Sequence, residues 1–263
     1  MLAGGYDGSS FYELLQHDFP HLLPFQHLPQ LPVGELQSLL SIPFATTILS
    51  LRFAEGVIVA GDRQATEGFE VSSRRIEKIH NADDHSVIAI AGAAGPCLDM
   101  ANLFKVEMEH YQKIEGETLA LDGKANKLAQ MVKQNLPAAF QGLVVIPIFA
   151  GYDLRRRQGR IFKYDVTGGR YEEHDFYATG SGGKEARSTL KKLYKANMAR
   201  SEALRLALEA LVDAADLDVG TSGPDLGRGI YPQVKVVTAS GIEDVEQAEL
   251  RPISEELLAS LKG

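Results

Sequence analysis

The sequence holds a single cysteine, Cys97, among its 263 residues. A lone thiol excludes an internal disulfide and suits a reducing cytoplasm. Set among apolar neighbours, Cys97 reads as a small buried side chain rather than a nucleophile. No apolar run approaches the ~18 residues needed to cross a bilayer, so no membrane partner is expected of this ordinary globular composition. Positive charge is scarce: 27 Lys and Arg stand against 35 Asp and Glu, the net charge is -8 and the pI is near 5.4. Nucleic-acid binding, which leans on neutralising phosphates, is therefore not expected. The histidines form no HExxH pair or other metal-ligand spacing, and no metal or other cofactor is called for. The stretch Gly180-Ser181-Gly182-Gly183-Lys184 lacks two parts of a phosphate loop, with Ala178 where the first glycine belongs and Glu185 where Ser or Thr should hold magnesium.

Residues 1–45 contain no Lys or Arg, yet hold five of the chain's 11 prolines (Pro20, Pro24, Pro29, Pro32 and Pro43). They also carry Asp7, Glu13, Asp18 and Glu35, so much of the net negative charge sits there. The missing basic n-region and the interrupted apolar clusters Leu14-Leu15, Leu22-Leu23 and Leu39-Leu40 argue against signal and transit peptides. The segment reads as a propeptide removed on maturation, with 46–263 as one catalytic domain; the bland alternative is a flexible tail that is never removed.

Behind this leader, alternation predicts strands at 47–53 and 57–61 joined by Ala54-Glu55-Gly56, and a second pair near 71–78 and 87–91. Further strands are expected at 143–152, 160–166 and 171–179, with Gly168-Gly169 turning between the last two, and a final pair near 233–239 and 245–250. Pro147 is expected to mark an edge or a bulge. Leu98, Ala101, Phe104, Met108 and Tyr111 recur at helical spacing, and a second helix is expected over 123–139 through Leu128, Met131, Val132 and Leu136. Two more follow at 184–196 and from Ser201, a plausible N-cap, through Leu204, Leu208 and Leu211. Arg155-Arg156-Arg157 reads as a solvated loop. The order of strands, two helices, strands, two helices, strands implies segregated layers. The fold class expected is α+β, a four-layer αββα sandwich of two antiparallel sheets with a helix pair outside each.

Thr46 opens the run Thr46-Thr47-Ile48-Leu49-Ser50-Leu51 and is followed at equal steps of sixteen by Asp62 and Lys78. An internal threonine is a poor nucleophile because its hydroxyl has no built-in base. Cleavage between Ala45 and Thr46 would give it an α-amine within bonding reach. Read without the motif context, Asp62 is better taken as a turn carboxylate and Lys78 as a solvated strand charge.

The motifs TTILSL, GVIVAGDRQATEG, IEKI, IAGAAG, the Gly180-Ser181-Gly182 turn and DVGTSGPDLGRGIYP occur in this order. Together they resemble a proteasome β-subunit, most closely the bacterial kind found in actinobacteria, over nearly the whole chain from Thr46 to about Leu250. The resemblance implies the fold of the N-terminal nucleophile hydrolases and a threonine endopeptidase. It makes Thr46 the nucleophile, Asp62 and Lys78 its electrostatic partners, and Ser181, Asp218 and Thr221 the group that positions the new terminus. Gly92 is implied as the backbone N–H donor to the oxyanion, a role that needs close approach and no side chain. Ala65, Thr66, Ile76, His80, Ile90 and Ala94 are implied to line the pocket for the residue before the scissile bond, a mostly apolar wall that favours hydrophobic side chains. The implied partners are α-subunit rings, further β-subunits in stacked rings, a ring-shaped ATPase or other activator, and unfolded polypeptide as substrate.

Chemistry gives this set a reason. A model α-amine has a pKa of about 7.7 to 8 against about 10.4 for lysine, so the amine is the better proton acceptor near neutrality. Lys78 held as a cation by Asp62 would lower the pKa of hydroxyl and amine together. One departure stands out: relatives place glycine before the nucleophile, and this chain has Ala45. If self-cleavage passes through a left-handed conformation there, the Cβ costs roughly 1–2 kcal/mol, a slowing of about five- to thirty-fold. Three alternatives stay open: the simpler two-ring ATP-dependent bacterial protease of the same superfamily, an N-terminal nucleophile amidohydrolase acting on small amides, and an unprocessed structural β-type subunit.

Overall fold

A computed structural model describes residues 46–67 and 70–261, the side chains of 66–72 excepted. The expected leader, including Ala45, lies outside these residues. In chain order the strands are β1 (Thr47–Phe53), β2 (Gly56–Gly61), β3 (Ala65–Glu67), β4 (Glu70–Ser73), β5 (Ile79–Asp83), β6 (Ser86–Gly92), β7 (Val145–Asp153), β8 (Gln158–Tyr164), β9 (Arg170–Glu173), β10 (Phe176–Gly180), β11 (Gln233–Thr238) and β12 (Gly241–Asp244). The helices are α1 (Ala94–Glu115), α2 (Leu121–Gln134), the single turn α3 (Leu136–Ala139), α4 (Gly183–Leu193), α5 (Arg200–Leu217) and α6 (Gln247–Ser260).

The strands form two antiparallel five-stranded sheets, ordered β10-β1-β2-β11-β12 and β5-β6-β7-β8-β9, with β3 and β4 as a separate ribbon. Period-two alternation explains how they stack. Ile48, Val57 and Val59 of the first sheet meet Ile79, Val87, Ala89, Ile148 and Ile161 of the second in one buried cluster. The opposite faces turn outward. Leu49, Leu51, Ile58 and Ala60 pack on Leu190 of α4 and Leu204, Leu208 and Leu211 of α5. Ile88, Ile90, Phe149 and Phe162 pack on Phe104 and Met108 of α1 and Leu128 and Met131 of α2. Three cores between four layers make the αββα sandwich. Phe104 sits edge-on to Phe149 at 5.6 Å, so Phe104→Ala would open a cavity worth about 3–5 kcal/mol.

Several local expectations are corrected. Strand β4 ends at Ser73, and Lys78 stands just before β5 rather than inside a strand. The run expected as one strand at 171–179 is two, β9 in the second sheet and β10 in the first. Pro147 lies in β7, the middle strand of its sheet, not at an edge. It is tolerated because it pairs only with Ile90 of β6, while the pairing with β8 begins at Ile148, so no partner on that side needs its missing N–H. Leu98 is 49% exposed and Met100 takes the core face of α1 in its place. Ser201 is not a cap: α5 begins at Arg200, and the Glu202 carboxylate accepts the Ala199 N–H at 2.9 Å. The strand expected at 245–250 is instead the start of α6, whose Leu250, Ser254 and Leu257 recur at helical spacing and add a third helix to the first sheet's outer face. The three arginines 155–157 form the exposed β7–β8 turn, where Asp153 Oδ1 accepts the Arg155 and Arg156 N–H groups at 3.0 Å each.

Candidate active site

The site is assembled at the start of β1. The β1–β2 hairpin pairs Ile48 with Gly61, which brings Asp62 beside Thr47, and the Asp62 N–H donates to the Thr47 carbonyl at 3.1 Å. On the other side Thr47 pairs with Gly180, and the Ser181 N–H donates to the Thr46 carbonyl at 2.9 Å. Gly180 has φ +102°, and a Cβ there would lie 1.8 Å from the Thr46 oxygen, so only glycine lets the two segments meet. Lys78 arrives from the second sheet.

Asp62 is fully buried and acts as the hub. Its Oδ1 accepts from Lys78 Nζ at 2.6 Å and from the Thr47 N–H at 2.8 Å. Its Oδ2 accepts from the Gln64 N–H at 2.9 Å and from the Ser222 N–H and hydroxyl at 3.3 and 3.4 Å. Lys78 is 5% exposed. Burial pushes its ammonium below the ordinary lysine range, and Asp62 pulls it part of the way back.

A second polar system surrounds the nitrogen of Thr46, and its proton directions follow from the acceptor-only character of a carboxylate. Ser181 Oγ and Thr221 Oγ1 each lie 2.5 Å from Asp218 Oδ2, so both hydroxyls donate to it. Thr47 Oγ1 then donates to Thr221 Oγ1 at 2.6 Å and accepts the Gly182 N–H at 2.9 Å. With its proton committed, Ser181 Oγ offers a lone pair to the Thr46 N–H at 3.3 Å. In the uncut chain that nitrogen is a peptide amide; after cleavage between Ala45 and Thr46 an α-amine would occupy the same place.

Gly92 ends β6 with φ +139°, and a Cβ there would lie 2.0 Å from the Val144 carbonyl oxygen. Its strand neighbour Ile90 donates to the Lys78 carbonyl at 3.0 Å, which ties β6 to the lysine. The positions expected to line the pocket come from β3, the segment before β5, β5, β6 and the start of α1. Ala65, Ile76 and His80 are half-buried and Ala94 is exposed. Burial lowers the His80 pKa, Glu77 opposing and Lys235 adding to the effect. Ile90 is 4% exposed and belongs to the core beneath α1 instead of an open wall. Thr66 is placed on β3 by its backbone, its side chain lying outside the described ones. Leu98 stands one helical turn beyond Ala94 and is exposed with it. Cys97 is half-buried, and burial pushes its thiol up to about 12, which leaves it inert at neutral pH.

Four contributors escape a reading of the sequence: Thr47, Gln64, Ser222 and Gln233. Ser222 and Gln64 lie inside quoted motifs, one residue beyond Thr221 and two beyond Asp62, so proximity was a usable signal. Gln233 opens a valine-rich strand, and its side-chain oxygen accepts the N–H groups of both Lys78 and Ile79 at 2.8 and 3.0 Å. Only its burial among apolar neighbours would have singled it out.

The proteasome subunit family model matches residues 43–225 of the chain. Among curated relatives, the proteasome subunit beta of Acidimicrobium ferrooxidans is 53% identical over 216 residues, covering 82% of this chain and 79% of the relative. The proteasome subunit beta of Acidothermus cellulolyticus is 48% identical over 256 residues, covering 96% and 87%. That of Frankia casuarinae is 47% identical over 253 residues, covering 95% and 90%.

Proposed function

The chain belongs to the proteasome subunit family, and on that premise we propose that it is a β-type threonine endopeptidase whose nucleophile, the Thr46 hydroxyl, is exposed by removal of residues 1–45. The observation that carries this reading is the meeting of two polar systems at one strand end: the buried Asp62–Lys78 pair and the Ser181–Asp218–Thr221–Thr47 chain. The match to the Acidothermus relative covers 96% of the chain, so most of the first 45 residues lie within it, as a family propeptide should.

In the proposed reaction the Thr46 α-amine takes the proton of the Thr46 hydroxyl as the oxygen attacks the peptide carbonyl. Ser181 holds one amine N–H as acceptor, which turns the amine lone pair toward the hydroxyl. Lys78, as a cation, lowers the pKa of both groups, and the Gly92 N–H receives the developing oxyanion. The amine then passes its proton to the leaving nitrogen, and water releases the acyl group by the same steps in reverse. Cleavage after hydrophobic side chains, a cytoplasmic location, and assembly with α-subunit rings fed by a ring-shaped ATPase or other activator belong to this proposal.

The test is intact-mass measurement and peptide hydrolysis after co-expression with an α-type subunit. The wild-type chain should lose residues 1–45 and acquire activity, while Thr46→Ala keeps its full mass and stays inactive. Hydrolysis by particles that retain residues 1–45, or by Thr46→Ala, would overturn the reading. Ala45 favours a second reading, an unprocessed structural subunit, which predicts full mass and no hydrolysis in the wild type.

A further inference from the structure

The Asp62–Lys78 pair joins two different sheets, so its geometry depends on how firmly the Lys78 backbone is held against the first sheet. No β-ladder does this on the sheet-facing side, because Lys78 precedes β5. Two anchors close the gap: the Ile76 N–H donates to the Arg63 carbonyl at 3.1 Å two residues earlier, and at Lys78 itself the anchor is one side chain. Gln233, the first residue of β11, pairs across the first sheet with Gly61, the residue before Asp62. From there its amide reaches the other sheet: Oε1 accepts the Lys78 N–H at 2.8 Å and the Ile79 N–H at 3.0 Å, and Nε2 donates to the Ile79 carbonyl at 2.8 Å. In a regular strand successive N–H groups point to opposite sides. Two of them converging on one oxygen mark a departure from regular strand geometry at Lys78, where the chain enters β5. Gln233 is 5% exposed, so loss of these bonds would leave buried polar groups unpaired.

We infer that Gln233 is a positioning residue for the reaction: it locks the Lys78 backbone to the strand beside Asp62 and so sets where the Lys78 ammonium stands. The inference rests on the proposed role of Lys78. It adds that a residue 155 positions away in the sequence governs the turnover step.

The experiment compares Gln233→Met, Gln233→Glu and Lys78→Ala in assembled particles made with the full-length chain. Exposed Thr46 is counted by intact mass, kcat and KM are measured on a fluorogenic peptide, and Tm is measured on the same particles. Met preserves length and volume but makes none of the three bonds, whereas Glu keeps an acceptor for the two N–H groups. Gln233→Met should lower kcat per exposed Thr46 by about ten- to a hundred-fold with KM little changed, as expected for a catalytic group displaced by about an ångström. Gln233→Glu should recover much of that loss. Wild-type kcat in Gln233→Met would overturn the inference. So would a kcat loss in both variants that merely follows their loss of Tm. Near-normal turnover in Lys78→Ala would instead overturn the role of the lysine itself, so the two failures are distinguishable.

Discussion

Replacing Asp62 by Asn keeps the side chain's size and removes its charge, which tests the centre of the proposed site. In the folded chain that carboxylate accepts from Lys78 Nζ, the Thr47 and Gln64 N–H groups, and the N–H and hydroxyl of Ser222, at 2.6 to 3.4 Å. An amide offers one acceptor oxygen and brings two donors of its own, so it cannot satisfy this set. Asp62 is fully buried and Lys78 5% exposed, the class in which removing one partner costs about 3–5 kcal/mol. That is a large part of the ~5–15 kcal/mol that holds an ordinary domain together, so a marked fall in Tm is expected. Lys78 responds in a known direction: burial already pushes its pKa down, and the opposing pull of Asp62 disappears. The lysine then loses its proton more readily, and with the cation gone the Thr46 amine becomes more basic. Only the neutral amine accepts a proton, so the acid limb of kcat/KM should move to higher pH while kcat falls about 10²- to 10³-fold. The assay is peptide hydrolysis across the neutral pH range, normalised to Thr46 exposed. A variant with near-wild-type kcat and an unmoved acid limb would refute the reasoning.

Ala45→Gly should speed self-cleavage by about five- to thirty-fold if a left-handed turn limits it, read from a time course of intact mass; an unchanged rate would remove that explanation. Gly92→Ala places a Cβ 2.0 Å from the Val144 oxygen at φ +139°, so it should lower Tm by the equivalent of at least about 1–3 kcal/mol and abolish hydrolysis; full stability would contradict the close approach. Arg160 is 2% exposed and donates to Asp122, Asp153 and Glu172, so Arg160→Met leaves three carboxylates facing one another and should lower Tm at neutral pH. The Arg160 guanidinium holds Asp122 at about 2 against its ordinary 3.8. A depressed carboxylate stabilises the fold above its unfolded pKa and stops doing so as pH falls through its folded one, so the Tm gap between wild type and Arg160→Met should narrow from pH 3.8 toward about 2. A gap that widens on acidification would reverse that sign.

What was legible in the sequence was set by local forces. The β1–β2 hairpin follows from alternation and Gly56, and α1 and α2 follow from apolar spacing, because each repeats a pattern within one element. What misled were places where distant partners decide. Lys78 lies outside a strand and bonds to Gln233, 155 residues away, a partner that nothing local announces. The run 171–179 changes sheets at His174-Asp175, where the Arg52 N–H donates to the Asp175 carbonyl at 2.8 Å, and nothing local announces that contact. Leu98 sits at helical spacing with the α1 core, yet Met100 fills its place. Thr46, Asp62 and Lys78 stand at even spacing, but the roles proposed for Asp62 and Lys78, like those of Ser181, Asp218 and Thr221 in segments 135 or more residues beyond Thr46, were legible only through the resemblance of their motifs.

Counter-ion and ammonium enter the site from opposite halves of the sandwich, Asp62 behind β2 and Lys78 ahead of β5. The 2.6 Å contact between them therefore gauges closure, since it forms only when both sheets are fully seated. A chain with one half loose would keep Asp62 beside Thr47 and lack Lys78. On the proposed function, competence to cut would thereby be a late product of folding.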